Sequence, residues 1–445
     1  MKIKIVSGKE YEIEVQPGES LLGAVQKCTE VAVEANCGGK GICGKCMANL
    51  IAGSVLTENG EKEAPNVIKL CKTSALSDCT VEVMSTNPGI ARYYADLEDG
   101  KGYSVAVDLG TTNITAALTD GKKILSTLTQ KNRQSVYGAD VMTRIEAATS
   151  GKSKELQMIV KRQIADMISK LISNSEKNRS LRDTDIQEII VSCNTTMEYL
   201  LMGWDSSSLG RAPYTTKELI FQETSIAGIK AVLLPGISAF VGGDIVSGLA
   251  YLNFTKETKV TFFLDLGTNG EMALWTGTRL ITTSVPAGPA FESGNVIYGS
   301  ELLDFAWKKL CDGTMDESGY LLTQKEFQDD IRTLQMAKAA TCAGVKSLLQ
   351  EAQVSEEAVE RVIIAGTFGE YLDPEATVGI GMIPQAWKDK MQVIGNASLK
   401  GAMALIADKE MIERANLIRE KAENFSLAQS EMFSKIYIDS MNFTK

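Results

Sequence analysis

The sequence predicts two folded units of different class: a small α+β unit over residues 1–86 and a larger α/β unit over 103–445, joined by a linker at 87–102. Three observations predict this. Cysteine and glycine crowd into NCGGKGICGKC at 36–46. An apolar strand running into DLGT occurs twice, at 103–111 and at 260–268. Between these signals, STNPGIARYYADLEDGKG carries proline, glycine and charge without a sustained period, as a connection does. At 445 residues and 44% apolar content the chain is long enough for several cores.

Composition removes whole classes of chemistry. There is no histidine, so imidazole metal sites, Ser-His-Asp and Cys-His catalysis are excluded. Acid–base and metal work falls to carboxylates, thiolates and hydroxyls. A net charge of −10 argues against nucleic acid as a partner. No apolar run approaches the roughly 20 residues that span a bilayer, so no membrane partner is expected. The opening MKIKIVSGKEYEIEV alternates like a strand rather than a signal peptide. Nine cysteines, odd in number and clustered at one end, suit a reducing cytoplasm better than a disulfide framework.

In the small unit, residues 2–6 and 11–15 read as a hairpin of alternating strands, and Ser20 to Gln26 as a short helix. KCMANLIAGSV reads as a strand, and CTVEVMS closes the unit. Cys37, Cys43 and Cys46 are spaced x5 and x2, and Cys71 follows in KLCKT. Structural zinc usually takes two CxxC pairs, whereas here the fourth cysteine stands alone. A [2Fe–2S] cluster fits better, with one glycine-rich loop giving three thiolates and a distant strand the fourth. The glycines let a loop curl closely round a small anionic cluster. Cys28 and Cys79 fall outside this spacing and read as buried small hydrophobes. The order of elements resembles the [2Fe–2S] ferredoxin β-grasp, and the x5 spacing looks like its adrenodoxin and bacterial type.

In the large unit, each DLGT opens a hairpin: ITAAL–TDGK–ILSTLTQ after the first, EMALW–TGTR–LITTSV after the second. One such tetrapeptide is weak evidence, but two in the same context are an internal duplication. Duplicated strand–DLGT–hairpin units resemble the ASKHA fold, an actin- and sugar-kinase-like ATPase made of two RNase H-like halves, the second beginning here near residue 258. That resemblance implies that Gly110, Thr111 and Thr112, with Gly267, Thr268 and Asn269, cradle phosphates. Asp108 and Asp265 hold Mg²⁺, largely through water. The fold also calls for a glycine turn that takes the adenosine, and RVIIAGTFGEYLDP supplies Gly366, Thr367 and Gly369 in the right order. Asp244 in FVGGDI sits where such proteins carry a carboxylate near the γ-phosphate; it is a candidate for orienting water or metal, or else a helix N-cap. Asp140 in YGADVMTRI is better read as a cap. SGKSK at 150–154 lacks the first glycine of a P-loop, and GIGMIP at 379–384 lacks the third glycine of a dinucleotide fingerprint. Ile164, Ile168, Leu171 and Ile172 share a helix face, and 398–421 reads as one helix.

Beyond these motifs, SVYGADVMTRIEAA, CNTTMEYLLMG, PAGPAFESGN and AGTFGEYLDPE resemble the reductive activators of corrinoid-dependent enzymes over nearly the whole chain. The resemblance implies an ATP-hydrolysing electron-transfer activase. Its [2Fe–2S] cluster would give one electron to an inactive Co(II) corrinoid, returning Co(I), in a corrinoid protein or corrinoid methyltransferase. A homodimer is compatible with it, and no residue identifies the upstream donor. The chain is shorter than familiar members, with a brief linker where they carry an extra middle region. A deficit of about 100–200 mV for one electron costs on the order of 2.4–4.8 kcal/mol, within reach of nucleotide-driven closure. The alternative is an ASKHA small-molecule kinase or ATP-dependent switch with a redox-sensing ferredoxin domain.

Overall fold

The computed structural model describes residues 1–7, 9–27, 46–83, 102–175, 182–291, 296–366, 372–427 and 430–443. Cys28, Cys37, Cys43, Thr367, Gly369 and the expected linker up to residue 101 lie outside them. The chain divides into two compact units, Met1–Tyr93 and Tyr94–Lys445. Among the described residues no helix is long and apolar enough to cross a membrane.

In the first unit, β1 (Lys2–Ser7) and β2 (Lys9–Glu14) form the expected antiparallel hairpin. Alternation sets its faces: Ile3 and Ile5 are buried, while Lys2 and Lys4 pair outside with Glu12 and Glu10. Helix α1 (Leu21–Lys27) adds Leu21, Leu22, Ala24 and Val25 to the same core. Then come β3 (Met47–Ala52), β4 (Ser54–Thr57), β5 (Gly60–Glu63), β6 (Asn66–Lys69), β7 (Thr73–Ala75) and β8 (Cys79–Val83). The main sheet runs β2-β1-β8-β3-β6 with β8 parallel to β1, and β5-β4-β7 forms a second, smaller sheet. The expected single strand at 45–55 is therefore two, because the chain turns at Gly53 (φ +88°) and the strands part into different sheets.

The second unit contains the predicted duplication. Its first half has β9 (Tyr103–Leu109), β10 (Asn113–Thr119), β11 (Ile124–Lys131), β12 (Ile186–Cys193), β13 (Gln222–Ile226) and β14 (Ile229–Leu233), ordered β11-β10-β9-β12-β14-β13. Its second has β15 (Thr261–Leu266), β16 (Gly270–Trp275), β17 (Leu280–Val285), β18 (Arg361–Ala365), β19 (Met391–Gly395) and β20 (Ala422–Asn424), ordered β19-β18-β15-β16-β17-β20. Without β13 and β20, both sheets are an antiparallel three-strand meander whose first strand continues into two parallel strands.

Helices α2 (Val141–Ala147), α3 (Ser153–Asn174), α4 (Thr195–Met202) and α5 (Gly243–Tyr251) belong to the first half. Helices α6 (Gly299–Cys311), α7 (Gln328–Glu351), α8 (Pro374–Gly379), α9 (Ala397–Ala407), α10 (Glu410–Lys421) and α11 (Glu431–Asp439) follow in the second. Helix α3 buries Leu156, Val160, Ile164, Met167, Ile168 and Leu171, the spacing of one helical face. Asp140 caps α2 as expected, accepting from the Thr143 N–H at 2.8 Å. The single helix expected at 398–421 is two. Asp408 is extended (φ −134°, ψ 113°), and its carboxylate accepts from the Glu410 N–H at 2.8 Å to start α10. The C-terminal segment is strapped to α7, where buried Lys338 donates to the Ser440 and Asn442 carbonyls.

One crossing positions the cleft. Helix α9 leaves β19 in the second half and packs on α5, β9 and β12 of the first. A Cβ at Gly401 would lie 2.2 Å from the Ser247 carbonyl oxygen, so only glycine allows so close an approach.

Candidate functional site

The small unit brings two of the four predicted thiolate ligands together. Cys46 stands just before β3, and Cys71 in the short helical turn after β6. The β3–β6 register pairs Met47 with Lys69, and the Leu70 N–H donates to the Cys46 carbonyl at 2.9 Å. The two cysteines therefore flank the same end of one strand pair. The Thr73 hydroxyl closes the turn, donating to the Lys69 carbonyl at 2.8 Å. Two cysteines held at the same end of the β3–β6 pair fit the donor set of an iron–sulfur cluster. Cys79 is different: it is buried on β8, and burial pushes its thiol up to about 11. That is the inert buried cysteine expected from its spacing.

The large unit assembles a cleft of about 120 Å³ where its halves meet. The predicted residues Asp108, Gly110, Thr111, Asp244, Asp265, Gly267, Thr268, Asn269 and Gly366 line it. Asp108 and Asp265 occupy the same place, next to last in β9 and β15, so the duplication sets them facing from either side. The two turns meet at Thr112 and Thr268, whose hydroxyl oxygens are 3.2 Å apart. Gly366 (φ +90°) ends β18, and a Cβ there would come within 2.7 Å of an Asp265 carboxylate oxygen. Its lack of a side chain lets the backbone at Gly366 pass beside that acid.

Asp244 is not an N-cap. Gly242 holds that position, and Asp244 stands in the first turn of α5, accepting from the Ile245 N–H at 2.9 Å. Burial, and to a lesser degree the charge of Asp108, pushes its carboxyl up to about 7. The sequence reading missed Glu271, which the ladder pairs directly with Asp265. Burial, then Asp244 and Asp265, holds Glu271 well above the usual carboxylate range. Thr115 is the counterpart opposite Asp108 in the first half. Also missed were Asn194, which caps α4 and donates to the Thr111 hydroxyl at 3.0 Å, and Asn396 and Ser398.

Four carboxyl groups in one small cleft favour a cation, and their hard oxygens suit Mg²⁺. Among the described residues no three acidic or thiol groups are arranged to chelate a metal directly. Carboxylate oxygens are the hard donors that Mg²⁺ takes together with water and phosphate oxygens.

Behind the cleft, Glu198 of α4 is 1% exposed, and its Oε1 has no hydrogen-bond partner. Burial pushes its carboxyl up from 4.5 to about 8. Between those values the folded chain keeps a proton that the unfolded chain releases, so stability falls as pH rises through that window. Glu198→Gln, which cannot ionise, is expected to flatten the fall in melting temperature from pH 5 to 8. Asp244 and Glu271 titrate in the same sense, so the slope shrinks without vanishing. Melting curves with an unchanged slope would contradict this.

Comparison with known proteins gives three family matches along the chain. The profile of the 2Fe-2S iron-sulfur cluster binding domain matches residues 4–76. That of the RACo middle region matches 103–257, and that of the C-terminal ASKHA domain of RACo matches 259–311 and 322–445. The chain is 24% identical to the corrinoid activation enzyme RamQ of Eubacterium limosum, over 77% of this chain and 70% of that protein. It is 22% identical to the [Co(II) methylated amine-specific corrinoid protein] reductase of Methanosarcina barkeri, over 77% of each. In fold it is similar to a solved reductive activator for a corrinoid, iron–sulfur protein, with a TM-score of 0.71 at 22% identity, covering 99% of this chain and 98% of that one. The RACo middle-region match coincides with the first half of the large unit, and the two relatives extend beyond the matched region.

Proposed function

This chain belongs to the RACo family of reductive activators of corrinoid proteins, and from that premise we propose that it uses ATP to drive one-electron reduction of an inactive Co(II) corrinoid to Co(I) in a partner protein. The observation that carries the reading is the pairing of two duplicated acidic turns, closed to 3.2 Å between Thr112 and Thr268, with a cysteine-bearing ferredoxin unit on one chain. The Methanosarcina relative, named as a reductase of a Co(II) corrinoid protein, supports the acceptor.

Cys37, Cys43, Cys46 and Cys71 hold a [2Fe–2S] cluster, which supplies one-electron chemistry at low potential when bound. Gly110, Thr111 and Thr112 on one side, and Gly267, Thr268 and Asn269 on the other, take the phosphates. Gly366, Thr367 and Gly369 take the adenosine. Asp108 and Asp265 hold Mg²⁺ through water, and Asp244 orients the attacking water or the metal. Glu271, paired with Asp265 across the ladder and held well above the usual carboxylate range by burial and its acidic neighbours, keeps its proton, which leaves the charge offered to the cation to Asp108 and Asp265. Closure of the halves on Mg-ATP is the residue-level event that can favour one complex with the partner over another.

The test is anoxic. The reduced protein is mixed with a Co(II) corrinoid methyltransfer protein, and Co(I) absorbance is followed with and without Mg-ATP. Co(I) growth that requires Mg-ATP is expected. Phosphorylation of an added metabolite without cobalt reduction would overturn the reading in favour of a kinase.

A further inference from the structure

Two residues from the second half grip the first half's acid. The Asn396 side-chain amide donates to Asp108 Oδ2 at 2.8 Å, and the Ser398 hydroxyl donates to Asp108 Oδ1 at 2.7 Å. Each carboxylate oxygen is thus fixed by its own donor. The donors are themselves fixed. Asn396 is the N-cap of α9, and its Oδ1 accepts from the Leu399 N–H at 2.8 Å, which leaves the amide nitrogen to face Asp108. The Ser398 backbone carbonyl accepts from the Ser247 hydroxyl of α5 at 2.8 Å. Its own hydroxyl oxygen is 2.9 Å from that of Ser192, which donates to the Gly243 carbonyl at 3.1 Å. Gly243 directly precedes Asp244.

We propose that Asn396 and Ser398 are positioning residues for Asp108: reaching across the crossing of α5 and α9, they aim its carboxylate at the cleft only while the two halves are closed. The inference rests on the reading of Asp108 as the Mg²⁺-side acid of the nucleotide site. A tie between halves needs only one contact anywhere along their border. Here two charge-assisted hydrogen bonds converge on the two oxygens of one acid that lines the cleft, from residues 288 and 290 positions away. Cation binding is sensitive to such supporting partners, because they set the orientation of the group that meets the metal's shell.

The test is equilibrium binding of a non-hydrolysable ATP analogue, AMPPNP, to the full chain by calorimetry, with and without Mg²⁺. In the natural chain Mg²⁺ tightens binding, and Asp108→Asn removes most of that gain. Ser398→Ala is expected to reduce the Mg²⁺-dependent tightening about 10–100-fold and to leave Mg²⁺-free affinity within about twofold. Asn396→Asp keeps a good helix cap but loses the donor, and it is expected to act in the same direction. In an Asp108→Asn background, Ser398→Ala should add less than about twofold, since it acts through that carboxylate. An unchanged Mg²⁺ effect, an equal loss with and without Mg²⁺, or the same cost in both backgrounds would overturn the proposal. If Mg²⁺ fails to tighten binding in the natural chain, or Asp108→Asn changes nothing, the underlying reading of the cleft fails instead.

Discussion

Cys46→Ser is expected to abolish the visible absorbance of the cluster and all Co(I) formation, while Mg-ATP turnover by the large unit stays within about twofold of the natural chain. The reason is geometric. Cys46 is buried at the end of β3, tied through its carbonyl to Leu70, and the ladder places it beside Cys71. A serine oxygen there is a poorer donor to iron, and no spare thiolate is at hand among the described residues, since Cys79 is sequestered on β8. The effect should be confined, because the small unit folds on its own apolar cluster of Ile3, Ile5, Leu21, Leu50, Val81 and their neighbours. Iron analysis with the absorbance spectrum reads the first half of the prediction, and phosphate release the second. A variant that keeps its spectrum would remove Cys46 from the ligand set.

Asp265→Asn is expected to give the opposite pattern: an intact cluster spectrum, with ATP turnover and ATP-dependent Co(I) formation both lower by about 10²–10³-fold. Asp265 sits against Gly366 on one side and pairs across the ladder with Glu271 on the other. Asparagine preserves the shape, so the loss isolates the charge offered to the cation and its waters. Glu271 would then carry less neighbouring negative charge and its carboxyl would fall toward the ordinary range, a change of direction readable in a pH titration of nucleotide binding. Retained turnover in this variant would place the cation elsewhere.

What the sequence made legible was whatever chemistry is written locally. DLGT after an apolar strand is complete within nine residues, and its recurrence announced both halves of the large unit and the placing of Asp108 and Asp265. The cysteine spacing was equally local. What it hid was everything carried by register or by crossing helices. Glu271 faces Asp265 only because the turn between β15 and β16 sets that pairing, and no motif says so. Its one available sign was a charged residue heading the apolar run EMALW. Asn396 and Ser398 reach Asp108 through a helix crossing almost three hundred residues on, which depends on Gly401 admitting α5. Asp244 was given two competing roles, and the backbone removes one of them by giving the cap to Gly242. The strand break at Gly53 and the helix break at Asp408 were missed for a related reason. Glycine and aspartate occur inside elements as well as between them, and only tertiary pairing fixes which applies.

The most direct measurement of the central claim is a single-turnover count. The cluster is reduced, excess reductant is removed, and the protein is mixed anoxically with a Co(II) corrinoid protein while cluster reoxidation and Co(I) formation are followed in one trace. With Mg-ATP, one Co(I) should appear for each cluster reoxidised, and without it neither signal should move. Equal Co(I) with and without Mg-ATP, or ATP consumption with no change at the cluster, would contradict an ATP-driven electron transfer by this chain.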